Sequence, residues 1–155
     1  MRKPIALLLA VLLLFSLSVP AGASNGINGS DTGSMTVSIA LPATYTVTIP
    51  ADVAIPLNGL TTGIGSISVS NVRIHSGKQI IVTADASGAL VSSESAEDII
   101  PYALRCNGRN FSAASFTANG SQALTVDITQ SAWDAAAAGS YSDTITFTVT
   151  YEAIG

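Results

Sequence analysis

The stretch just before the C-terminus alternates strictly. Ile145, Phe147, Val149 and Tyr151 are apolar or aromatic, and Thr144, Thr146, Thr148 and Thr150 are interleaved with them. Period two is the repeat of a β-strand with one face on a core and one in water, and β-branched threonine suits the wet face. A helix would need apolar positions every three or four residues. Phe147 and Val149 are therefore expected to be buried, in a central or near-central strand.

The same alternation appears nearer the N-terminus. Met35, Val37, Ile39 and Leu41 fall on one face, and after Pro42 so do Tyr45, Val47 and Ile49. Further strands are predicted over 66–74, with a break at Ser70-Asn71, and over 79–84, 99–106 and 123–128. Turn signals separate them at Asn58-Gly59, Ser76-Gly77, Asn107-Gly108 and Asn119-Gly120. Asn107-Gly108 suits a two-residue type I′ turn, in which both central residues need positive φ, and that register sets Leu104 opposite Phe111. A short helix is expected only over 131–138, with Ser131 as its N-cap. The pattern predicts an all-β chain, an immunoglobulin-like β-sandwich of about seven to eight strands.

The other end of the chain is of a different kind. Arg2 and Lys3 precede an apolar run from Ile5 to Val19, and Ala21-Gly22-Ala23 follows Pro20. A charged start, a short apolar core and a small-x-small exit make up a secretory signal. The run is shorter than the roughly 20 residues that span a bilayer. Cleavage is expected after Ala23, with no stable membrane insertion afterwards and a secreted, extracellular or cell-surface location. Residues 24–34, rich in Ser, Asn and Gly, read as a flexible leader. Residues 35–155 read as the one folded domain.

Charge narrows the partners. The chain carries a net charge of −4, with ten acidic residues, and losing Arg2 and Lys3 leaves only Arg73, Lys78, Arg105 and Arg109 as cations. Nucleic-acid binding is not expected of such a surface. Cys106 is the single cysteine, so no intramolecular disulfide forms; it reads as a small hydrophobe or an interchain partner.

Catalytic patterns are missing. His75, the sole histidine, sits beside the Ser76-Gly77 turn and is expected in solvent, with no Gly-x-Ser-x-Gly elbow to serve. No His or Cys pair has metal spacing. Glu94, Glu97 and Asp98 lack the alternating ligands of a calcium loop and read as a solvated loop, although calcium there stays open. No catalytic residue, cofactor or metal is expected. Tyr45, Tyr102, Trp133 and Tyr141 are read as core or corner aromatics, with a sugar-stacking role as the alternative.

One resemblance bears on function. Ala138-Gly139-Ser140-Tyr141-Ser142-Asp143-Thr144, leading into the alternating strand that ends at Tyr151, resembles the C-terminal end of spore-coat-protein-U-like and related pilin-like secreted bacterial domains. Ile100-Pro101-Tyr102-Ala103-Leu104 is similar to a middle strand of theirs, and Val37 to Val47 resembles an alternating N-terminal extension. The family's early cysteine has no counterpart here, and four residues follow Tyr151. Small secreted surface proteins of Gram-positive bacteria have a similar Ala-Gly-x-Tyr ending.

The resemblance implies a non-catalytic structural or adhesive surface subunit, with Gly139, Tyr141, Ile145, Phe147, Val149 and Tyr151 as its terminal-strand motif. It also implies an assembly strand, for which Met35, Val37, Ile39 and Leu41 have the alternation. That strand would fill a groove beside 144–151, in its own domain, in a second copy or in another surface subunit. An ordinary first strand of a closed sandwich is the competing reading of 35–41. A secreted ligand- or carbohydrate-binding module is the competing reading of the whole protein.

Overall fold

The computed structural model describes residues 35–155. The expected signal segment and leader lie outside the described residues.

Half of the described residues are in strands, all of them paired antiparallel, against 5% in helix. Strands β1 (Thr44–Thr48), β2 (Thr61–Arg73), β9 (Gly120–Asp127), β6 (Ala103–Cys106) and β7 (Arg109–Asn110) form one sheet, in the spatial order β1-β2-β9-β6-β7. A second sheet has the order β11-β3-β8, from Thr146–Ala153, Lys78–Asp85 and Ala113–Phe116. A third, smaller one joins β10 (Tyr141–Ser142), β4 (Ala89–Ser92) and β5 (Ile99–Pro101). Among the described residues no helix is long and apolar enough to cross a membrane.

A single core joins the sheets. Ile67, Val69 and Leu124 from the first and Ile80 and Val82 from the second are its most deeply buried side chains. Each contributes about 1.5–3 kcal/mol through burial. Their pleat faces are the ones that alternation selects, since successive strand residues point to opposite sides.

Several expectations hold. The predicted 79–84 and 123–128 strands form as β3 and β9, each somewhat longer. Asn107 and Gly108 take φ of 50° and 74°, the left-handed pair a type I′ turn requires. Cys106 pairs with Arg109, and the Phe111 N–H donates to the Leu104 carbonyl over 2.9 Å.

Others are corrected. The expected break at Ser70-Asn71 is instead a kink within β2, where Asn71 adopts φ of 54° and the register with β1 shifts. The predicted 99–106 strand splits at Tyr102, with β5 in the small sheet and β6 in the large one. Pro101 has no N–H to extend a ladder and closes β5 at a sheet edge. The helix α1 covers Gln130–Ala135, and its N-cap is Thr129 rather than Ser131: the Thr129 hydroxyl accepts from the Ala132 N–H over 3.2 Å.

The largest correction concerns the last strand. Among the described residues β11 is an edge strand, not a central one, paired with β3 on one side only. Phe147 and Tyr151 are half-buried, the threonines face water, and Val149 keeps 37% of its surface exposed. Alternation finds the inward face of a strand; it carries no information on how many neighbours the strand has.

Candidate functional site

Among the described residues the strands β1 and β11 are both edges, of different sheets, and a pair of tyrosines joins them on one flank. At one end of this flank the Tyr45 ring from β1 lies 5.9 Å from the Tyr151 ring of β11, tilted by 41°. The Tyr151 hydroxyl accepts from the backbone N–H of His75 over 2.9 Å and lies 3.0 Å from its Nδ1. His75 is exposed but not merely solvated, because it ties the β2–β3 turn to the edge strand.

Past β1 the chain leaves the sheet. Residues 49–60 run as an irregular strap down the same flank, with no strand until β2 begins at Thr61. Pro50 packs on Gly65, a glycine with φ of 107°: a Cβ there would come within 3.2 Å of the Pro50 Cβ. At the far end the Gly59 N–H donates to the Pro56 carbonyl over 2.9 Å, and the Trp133 indole N–H donates to the Gly59 carbonyl over 3.2 Å. Both ends of the strap are thus anchored.

Between the anchors the strap packs poorly. A cavity of about 270 Å³ separates Pro50, Asp52 and Val53 from Asp143, Thr144 and Phe147. A smaller one of about 90 Å³ lies among Val53, Ile55, Ile64, Tyr102, Val126 and Ile145. A third, about 390 Å³, opens between Leu57 and Ile55 on one side and Trp133, Tyr141 and Leu90 on the other. Val53 is 49% exposed and Leu57 83%.

Asp143 reaches all three cavities and anchors the chain just before β11. Its Oδ2 accepts from the Tyr102 phenol at 2.6 Å and from the Ser87 hydroxyl at 2.8 Å, and its Oδ1 accepts from the Thr144 N–H at 2.8 Å. Burial by itself raises this carboxyl, but the hydrogen bonds from Tyr102, Ser87 and Thr144 outweigh it and leave the group below the ordinary aspartate value. Burial, then the bond to Asp143 and its charge, push the Tyr102 phenol well above its usual range.

The terminal-strand residues gather along the flank, but not as one cluster. Ile145 and Phe147 line the cavities, and Tyr151 makes the far contact with Tyr45 and His75. Tyr141 pairs with Ser92 in the small sheet, its hydroxyl donating to the Ala137 carbonyl over 2.9 Å. Gly139 packs near the Ser92 hydroxyl, 3.3 Å from where a Cβ would lie.

Met35, Val37, Ile39 and Leu41 lie in no strand, and they are 84, 82, 84 and 58% exposed. They form neither an ordinary first strand nor a strand filling the flank of their own domain.

Of the four aromatics weighed for sugar stacking, Trp133 and Tyr141 share the 390 Å³ cleft, while Tyr45 and Tyr102 lie elsewhere. Cys106 is half-buried, its Sγ 3.2 Å from Gln122 Oε1. Among the described residues no group of three or more His, Cys, Asp or Glu comes together as a metal site. The importance of Ser87 and of residues 50–57 was not visible in the sequence, since their role depends on neighbours distant along the chain.

Compared with known proteins, the chain matches no family model and no curated sequence.

Proposed function

We propose that this protein is an exported, non-catalytic bacterial surface subunit that assembles by strand addition. The single observation that carries the reading is a pairing of unmet needs: among the described residues β11 offers an open sheet edge, and Met35–Leu41 is an exposed alternating segment that pairs with no strand. An unpaired edge invites a strand from elsewhere, with backbone groups supplying affinity and alternate side chains specificity.

The strand order favours this reading. On an immunoglobulin-like plan the spatial series β1-β2-β9-β6 corresponds to strands A, B, E and D, and β11 beside β3 to F beside C. β11 is the last strand, so strand G, which would cover its outer edge, has no counterpart among the described residues. The occupant on this reading is residues 35–41 of a second copy.

The size of the exported chain as a function of concentration tests the proposal. Chains longer than a dimer, lost when residues 35–41 are replaced by a Gly-Ser stretch, are the expected result. A protein that stays monomeric at high concentration and ignores a 35–41 peptide overturns it.

The cleft between Trp133 and Tyr141 favours a second reading, a ligand-binding module. The polar atoms of both rings are turned to backbone carbonyls, which leaves their faces for stacking. Quenching or shift of the single tryptophan's fluorescence by oligosaccharides, in a protein that remains monomeric, would select it.

A further inference from the structure

The strap and the unpartnered N-terminal segment carry the same pattern. Val37-x-Ile39-x-Leu41 in one is Val53-x-Ile55-x-Leu57 in the other, each preceded two residues earlier by a further apolar residue, Met35 or Ala51. Both have the period of a strand. The first is exposed and lies in no strand; in the second, Val53 and Ile55 lie beside Ile145 and the start of β11, and Leu57 lies beside Tyr141 just before it.

The strap has a strand's pattern without a strand's bonds. Among the described residues no backbone–backbone hydrogen bond involves residues 51–55, although anchors at Pro50 and Gly59 hold the strap on either side. Open clefts separate it from Thr144 and Phe147 and from Trp133 and Tyr141, and Val53 and Leu57 turn much of their surface to water. Apolar side chains left half in water gain only part of the burial energy open to them, and loop amides without ladder bonds open at low cost.

We infer that Ala51–Leu57 is a placeholder, and that Val37, Ile39 and Leu41 of a second copy replace Val53, Ile55 and Leu57 when that copy's strand is added to β11. The inference rests on the strand-addition reading and specifies its register. The exchange is favourable for a simple reason. The side chains that enter are the same three as those that leave, while the incoming backbone gains ladder bonds to β11 that the strap does not make. The strap swings out between its two anchors, and the same apolar residues that covered the flank before assembly are released by it. A monomer thereby keeps its open edge partly shielded, as edge strands generally require.

Methyl NMR of the full chain, titrated with a peptide of residues 35–41, tests this. The Val53 and Ile55 methyl signals should move to random-coil positions while those of Ile64 and Val126 keep dispersed, folded shifts. Val53→Ser, at a half-exposed position, should bind the peptide about tenfold tighter, equivalent to about 1.4 kcal/mol, because the competitor is weakened. Peptide that protects β11 amides from exchange but leaves the Val53 and Ile55 methyls and the Val53→Ser affinity unchanged overturns the replacement and spares strand addition. Peptide that perturbs neither β11 nor the strap overturns both.

Discussion

The Tyr102 phenol and the Asp143 carboxylate meet at 2.6 Å across 41 residues of sequence. Tyr102 stands where one predicted strand divides between two sheets, and Asp143 stands just before the edge strand. Their bond therefore joins the small sheet, the large sheet and the start of β11 at one point. Tyr102→Phe removes a hydrogen bond to a charged group and leaves the ring in place. It should cost about 1.5–3 kcal/mol in chemical denaturation, and a variant as stable as the parent would deny the contact its bracing role.

The same contact predicts a pH dependence. Asp143 is held below the ordinary aspartate value by its donors, so its folded pKa is lower than its unfolded one, roughly 3.9. Its stabilising contribution is complete above that unfolded value and is lost as pH falls through the folded pKa. Asp143→Asn should flatten the acid limb of a stability–pH curve below about pH 5. An unchanged acid limb would show that other carboxylates control acid unfolding.

Depth in the core should separate two substitutions of similar size. Ile67, fully buried in β2, should cost about 2–5 kcal/mol as Ile67→Ala. Val149, on the open edge, should cost well under about 1 kcal/mol as Val149→Ala. Equal melting losses would mean that the outer edge of β11 is covered in solution.

Gly65→Ala places a Cβ at φ of 107° and 3.2 Å from the Pro50 Cβ. Strain of this type amounts to about 1–3 kcal/mol. The loss should appear as a lower thermal midpoint, accompanied by sharper, more mobile methyl signals from Val53. A fully stable variant would remove Pro50–Gly65 as an anchor of the strap.

Export is checked by mass. The secreted protein should begin at Ser24, because Ala21 and Ala23 present small residues to the signal peptidase. Membrane-bound material that retains residues 1–23 would make the segment an anchor.

Local chemistry was enough for much of the fold. Alternation around Val82, Leu124 and Phe147 identifies which side chains turn inward, because the pleat reverses direction at every residue. Asn107-Gly108 specifies its own hairpin, since few other residue pairs tolerate two successive positive φ values. Short strands such as β4 and β8 hold too few residues for a period to show. Sheet order is of another kind: it depends on which segments compete for the same backbone donors and acceptors, and those competitors lie far apart in sequence. So the terminal motif from Gly139 to Tyr151 was legible as a strand and its approach, but its position at an edge was not. For the same reason Met35–Leu41 and Val53–Leu57 carry one pattern and have two fates. The sequence by itself determined that Met35–Leu41 can be a strand; only the tertiary structure decided that this segment lies exposed in no strand, and only it drew Val53–Leu57 into view, resting without a ladder against the open flank. The physical reason is that a strand is completed by hydrogen bonds to a neighbour, and a sequence segment encodes its side chains but not the edge that will receive them.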